Sequence, residues 1–419
     1  MSVLHLSGLA LFFSALSLFL FQMLWLRLLG FSESTESATI LIAFFSAVIL
    51  GALLAQWRLR KGDLGLKGFA FSQLIVAVSA VLLLPMLVSP EHIVTLSPSQ
   101  RIASWDGFLT VFVIALIPAV ASGMAFPFLA AWLSRIQPKP SPIGYLYFIF
   151  ICGALIATLL GGLYILPTFG LKGAIYFAAG YNLIAAFIAY TLLNLVRQNT
   201  AIKTSPPEAP LLSKLNSPCT PPIKNGSNPT FLHSLKWLVI LGSISFIWMG
   251  SEVILSKYIS LYAGSTLFSF TIILATSLAG VALGAGLLHY RQTKINLNTN
   301  TLFILLIALF IALNITRLLL SYAPQLYNDS HYLGELLNHT DSLWFALMVF
   351  LPSVLFGAIL SLALSLYCQE TRAIQQNFGF AYGLYLLCAM GGAIITVLWL
   401  IPTLGSHNTL LILTLTPVL

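Results

Sequence analysis

The sequence predicts an all-α integral membrane protein of about twelve transmembrane helices, arranged as two parallel six-helix repeats. Three observations predict it. Apolar residues fill 59% of the 419 positions and charged residues only 7%, against roughly 25% charged in a soluble globular chain. Runs of about 20 apolar residues recur along the chain, the length needed to cross a hydrocarbon core. The chain also repeats itself about 235 positions apart, the mark of a duplicated unit. Pro118-Ala119-Val120-Ala121-Ser122-Gly123 returns as Pro352-Ser353-Val354-Leu355-Phe356-Gly357, and Leu166-Pro167-Thr168-Phe169-Gly170 returns as Ile401-Pro402-Thr403-Leu404-Gly405.

The first half, residues 1–196, reads as spans over Leu6–Gly30, Ala38–Trp57, Gly68–Ser89, Phe108–Ser134, Ile143–Leu166 and Leu171–Leu195. The first run lacks a basic leader and a small-residue cleavage site, so it reads as a retained helix. Residues 197–236 hold many of the prolines among Ser, Thr, Asn and Lys, and read as a flexible cytoplasmic linker. The second half, residues 237–419, opens with a span over Lys236–Tyr262. It continues with Thr266–Tyr290, Thr301–Leu320, Ser342–Tyr367, Phe378–Ile401 and Asn408–Leu419. The last span is too short to cross ~30 Å of hydrocarbon, and reads as a helix inside which the chain stops. The longer outer loops are expected at Pro90–Gly107 and Ser321–Asp341.

Orientation follows from the basic residues. With the N-terminus cytoplasmic, all but Arg27, Arg101, Lys172, Lys257 and Arg317 of the 19 Lys and Arg fall inside. The positive-inside rule therefore predicts a multi-pass protein of the inner (cytoplasmic) membrane with both termini cytoplasmic. An even number of spans per half makes both halves point the same way. They are then related by a pseudo-two-fold axis along the membrane normal, which resembles the two halves of major-facilitator transporters.

Charges inside spans are expensive in lipid and mark candidate sites. Glu252 lies near the middle of the seventh span, and Gln22 takes the matching place in the first. Arg27 and Lys257 follow five residues later in each. On one reading these four, with Trp25 and Trp248, converge on a cavity between the halves where Glu252 holds a cation. On the other they form a polar clasp that registers the halves, with Arg27 and Lys257 snorkelling outward. Gly51, Gly153, Gly161, Gly162, Gly280, Gly284, Gly286, Gly391 and Gly392 read as close helix approaches.

No glycine-rich phosphate loop, nucleophile elbow or metal-ligand spacing occurs, and Cys152, Cys219, Cys368 and Cys388 form no CxxC. The expectation is no cofactor, no metal, no catalytic residue and no nucleic-acid partner. The partners expected are the lipid bilayer and a small-molecule solute.

Several stretches resemble the membrane portion of bacterial spermidine-synthase-like membrane proteins. Gln22-Met23-Leu24-Trp25-Leu26-Arg27-Leu28-Leu29-Gly30 is similar to that family's opening "Y-E-V-x-W-x-R-L-L", and Glu252 to Ser260 is similar to it again. Gly144, Tyr147, Gly153-Ala154, Gly162 and Leu166-Pro167 with Gly170 follow its later motif, repeated by Tyr382, Ala389, Gly392, Pro402 and Gly405. Gln22 stands where the family has Glu, Lys257 where it has Arg, and Phe150 and Tyr385 where Asn is usual. The resemblance implies a polyamine-like solute. It equally implies a membrane anchor for a cytoplasmic synthase-like partner, or a piece of a fused membrane aminopropyltransferase. The aminopropyltransferase domain itself has no counterpart in these 419 residues.

Overall fold

The computed structural model describes residues 3–28, 34–62, 65–88, 105–136, 142–202, 231–263, 267–292, 299–332, 340–370 and 374–415. Among them the chain forms twelve α-helices. The first six are α1 (Val3–Leu28), α2 (Ser34–Lys61), α3 (Gly65–Val88), α4 (Trp105–Ile136), α5 (Ile143–Leu160) and α6 (Leu166–Ile202). The second six are α7 (Phe231–Ala263), α8 (Leu267–Gln292), α9 (Thr299–Tyr332), α10 (Thr340–Glu370), α11 (Ile374–Ile395) and α12 (Ile401–Leu415). Helices are what such a composition must form, because lipid offers no partner to an unpaired backbone N–H or C=O.

Among the described residues, ten apolar helical stretches are long enough to cross a membrane. One of them, Ile143–Gln198, runs 56 residues. As a single rod at ~1.5 Å per residue it would far exceed a ~30 Å core. It is divided by a π turn at Gly161–Ile165 and by Gly170, whose φ of 64° lies in the left-handed region. The stretch Phe378–Leu415 is divided in the same way, by a π turn at Thr396–Leu400 and by Gly405 with φ 74°. Pro167 and Pro402 follow closely on the π turns and lie just ahead of the left-handed glycines that break the two stretches. Pro118 and Pro127 lie inside α4 and Pro352 inside α10.

Helix ends correct the linker and loops at their margins. α6 continues to Ile202 and α7 begins at Phe231, so both ends of the expected linker are helical; 203–230 lie outside the described residues. α4 begins at Trp105 and α9 runs to Tyr332, shortening both expected outer loops, whose remainders are also outside the described residues. Within α12 the left-handed Gly405 separates two helical pieces, so the last span begins just after it, close to the expected Asn408.

Packing follows the duplication helix by helix. In the first half α1 packs on α5 and α6, α2 on α4, and α3 on α4 and α6. In the second half α7 packs on α11 and α12, α8 on α10, and α9 on α10 and α12. The seam obeys the same two-fold: α5 meets α8 as α11 meets α2, and α4 meets α11 as α10 meets α5.

The tightest crossings are built by reciprocal glycines. A Cβ at Gly51 would lie 2.0 Å from the Val120 carbonyl oxygen, and one at Gly123 would lie 2.1 Å from that of Val48. In the second half Gly284 meets the Val354 carbonyl at 1.9 Å and Gly357 that of Val281 at 2.2 Å. All four residues recur at matching places in α2/α8 and α4/α10. With no hydrophobic drive between helices in lipid, this backbone-to-backbone contact is the main source of attraction.

A polar tie adds to α1–α6. Asn182, buried in α6, donates from Nδ2 to Ser17 Oγ of α1 and to the Ala178 carbonyl. Asn182→Ala is expected to cost about 1 kcal/mol, since such interhelical bonds average ~0.6 kcal/mol in lipid and some packing goes with them. Unfolding in detergent measures it.

Candidate functional site

Contacts fix how α1 and α7 correspond. Gly153 of α5 lies against Phe12, and Gly161 against Leu20. In the other half Gly242 lies against Cys388 and Gly250 against Thr396. Matching these pairs sets Phe12 with Gly242 and Leu20 with Gly250. Gln22 and Glu252 then occupy equivalent places.

The two are not equivalent in chemistry. Gln22 and Trp25 are buried in the first-half core. Glu252 is half-buried, and its carboxylate accepts a hydrogen bond from Ser277 of α8. Ser277 Oγ lies 3.3 Å from Ser353 Oγ of α10, which also donates to the Val349 carbonyl at 2.8 Å. A carboxylate and two hydroxyls thus join α7, α8 and α10. The matching first-half positions, Gln22, Phe44 and Ala119, carry no such chain. Arg27 and Lys257 are exposed, and the carboxylate's polar neighbour is Ser277 rather than Arg27.

One turn from this chain lies a small cavity lined by Tyr147 of α5, Ile244, Ser245 and Trp248 of α7, Val281 of α8, Phe356 and Leu360 of α10, and Tyr385 of α11. Its free space of about 10 Å³ is at the limit for one water molecule. Trp248 precedes Glu252 by one helical turn, Val281 follows Ser277 by one, and Phe356 follows Ser353. Carboxylate and cavity are therefore stacked tiers of the same three helices. The structure groups Glu252 with Trp248 and adds Tyr147, Ser245, Ser277, Ser353 and Tyr385, which the reading of charges alone passes over. Trp248 Nε1 is buried without a hydrogen-bond partner, while the buried Tyr147 hydroxyl is hydrogen-bonded to Tyr385.

The seam is filled on the side nearest the basic helix ends, those bearing Arg58, Arg60, Lys61, Arg135 and Arg291. Phe126 of α4 stacks on Phe150 of α5 at 5.4 Å and meets Phe378 and Tyr382 of α11 edge-on at 5.3 and 5.2 Å. Tyr382 stacks in turn on Tyr385 at 6.1 Å. All five rings are buried, so this end of the seam is closed. In a Phe126→Ala chain, a probe cysteine made by Tyr147→Cys is expected to react several-fold faster with a thiol reagent added at the basic end. An unchanged rate would show that the seam is held elsewhere.

Among the described residues, no group of three His, Cys, Asp or Glu converges on a metal-sized point.

No protein-family model matches the sequence, and no curated protein matches it. Solved structures do share its architecture. A variant of the E. coli fucose:proton symporter FucP gives a TM-score of 0.60 at 15% identity, over 99% of this chain and 96% of that one. The nucleoside transporter NupG gives 0.56 at 15% identity, over 100% and 97%. A bacterial homologue of the iron transporter ferroportin, in an outward-facing state, gives 0.61 at 13% identity, over 98% of each. The chain has the major-facilitator fold.

Proposed function

We propose that this chain is a membrane carrier for a small organic cation, bound between the two halves with its ammonium on Glu252. The observation that carries this is the position of Glu252: an acid far inside a membrane span, facing the protein, hydrogen-bonded to Ser277 and stacked on the seam cavity. An ionisable group kept inside a span is a functional group by default, and a lone carboxylate selects positive charge. Oxygen donors from one acid and two serines suit an ammonium better than a transition metal, which asks for nitrogen or sulfur ligands.

The fold supports the transport half of this reading. Two parallel repeats with a site at their interface are the arrangement in which one half rocks against the other around a bound solute. The basic helix ends support a cytoplasmic placement for the closed side of the seam, with the cavity awaiting solute from the opposite face. Polyamines belong to the ammonium class and are the members that the resemblance to spermidine-synthase-like membrane proteins favours.

Purified protein in liposomes tests this. Saturable uptake of radiolabelled amines, absent from empty liposomes and competed by other amines, is expected. No flux of any ammonium under either sign of ion gradient would remove the proposal.

A further inference from the structure

The site has a second chemical demand, and it narrows the solute. This inference rests on the proposed cation site at Glu252. Trp248, in the cavity wall, holds a polar atom that is buried and lacks a hydrogen-bond partner, and beside it the Tyr147 hydroxyl is hydrogen-bonded to Tyr385. Trp248 and Tyr147 come from opposite halves, α7 and α5, and close the cavity from both sides. Buried polar atoms are paired in the great majority of cases, so the unpaired indole N–H in this cavity wall asks what pairs it. The indole Nε1–H is a donor only and needs an acceptor. An ammonium has donors only, so it cannot serve Trp248.

Glu252 lies one turn along α7 from Trp248, and residues so spaced have Cβ atoms about 5–6 Å apart. We propose that the solute is bifunctional: an ammonium for Glu252 and, one helical turn away, a hydroxyl or carbonyl oxygen for Trp248 and Tyr147. The class is an amino alcohol or an amine bearing a carbonyl, which departs from the simple polyamines that the resemblance favours. The oxygen accepts from Trp248 Nε1. A hydroxyl there donates in turn to the Tyr147 oxygen, which keeps an accepting lone pair beside its bond to Tyr385. Because Tyr147 is the first half's contribution to the cavity wall, it is also the group through which the first half senses the solute.

Three probes of equal length separate the possibilities: aminobutanol, diaminobutane and pentylamine. They share one ammonium and end in a hydroxyl, a second ammonium and a methyl group. Binding is measured by calorimetry on the detergent-solubilised full chain. Aminobutanol is expected to bind at least about tenfold more tightly than either of the others, the size of one paired hydrogen bond. Trp248→Phe keeps an aromatic ring and removes the donor, and should erase most of aminobutanol's preference over pentylamine. Tyr147→Phe should erase the remainder. Diaminobutane binding most tightly, or pentylamine binding as well as aminobutanol, overturns the inference while leaving the cation site intact. Binding of all three unaffected by Glu252→Gln instead overturns the cation site itself.

Discussion

Glu252→Gln is expected to abolish measurable uptake without weakening the fold. Glutamine has the same shape, and its carbonyl oxygen still accepts from Ser277. What it removes is the negative charge. A hydrogen bond to a charged group is worth about 1.5–3 kcal/mol, so affinity for an ammonium should fall by roughly tenfold to more than a hundredfold. Stability should move the other way or stay level, because an acid held inside a span is costly to the apo protein. The two readouts separate carrier from clasp. If position 252 merely registered the halves, the variant would lose melting temperature and keep binding. Arg27→Ala and Lys257→Ala, both at exposed positions, should change uptake little by comparison.

Gly284→Val should be the most damaging single change to the fold. Its first added carbon would sit 1.9 Å from the Val354 carbonyl oxygen, and 2.9 Å from the Ala358 nitrogen. These are backbone atoms, so no rotamer change relieves the overlap, and α8 must separate from α10. Overpacking a tight contact costs about 1–3 kcal/mol where side chains give way, and more where they cannot. We expect a loss of ~3 kcal/mol or greater, read as a fall of several degrees in melting temperature in detergent. Gly51→Val should do the same to α2–α4. Gly180→Val is the control: nothing lies within 4 Å of its added carbon, and it should behave as the parent. Equal behaviour of Gly284→Val and Gly180→Val would refute the reciprocal-glycine account.

The architecture was largely legible before any coordinates. Lipid leaves the backbone one option, so apolar runs translate directly into helices, and the doubled Pro-Thr-x-Gly segments marked where α5 turns into α6 and α11 into α12. Gly51 and Gly284 stood out because small residues in spans have few uses besides close approach. Glu252 stood out because charge in a span is rare. Its serines did not. Ser277 and Ser353 look like any of the hydroxyls that bond back to their own helix, as Thr158, Ser245 and Thr276 do. Only the crossing of α8 and α10 under α7 brings them to the carboxylate. Arg27 and Lys257 were drawn to the site by spacing from Gln22 and Glu252. Spacing says which residues follow, not how far a long side chain reaches toward water. Tyr147 and Tyr385 had been noted only through the resemblance, since an aromatic ring in an apolar span has many bland uses.

The serine chain beneath Glu252 runs through α7, α8 and α10 alone, while its counterparts Phe44 and Ala119 are plain hydrocarbon. Duplicated genes commonly begin as equals, and here the second half carries the carboxylate–serine chain where the first carries an amide and hydrocarbon. Selection on solute choice should therefore fall unevenly, leaving α2 and α4 freer to drift than α8 and α10 wherever the glycine crossings are respected.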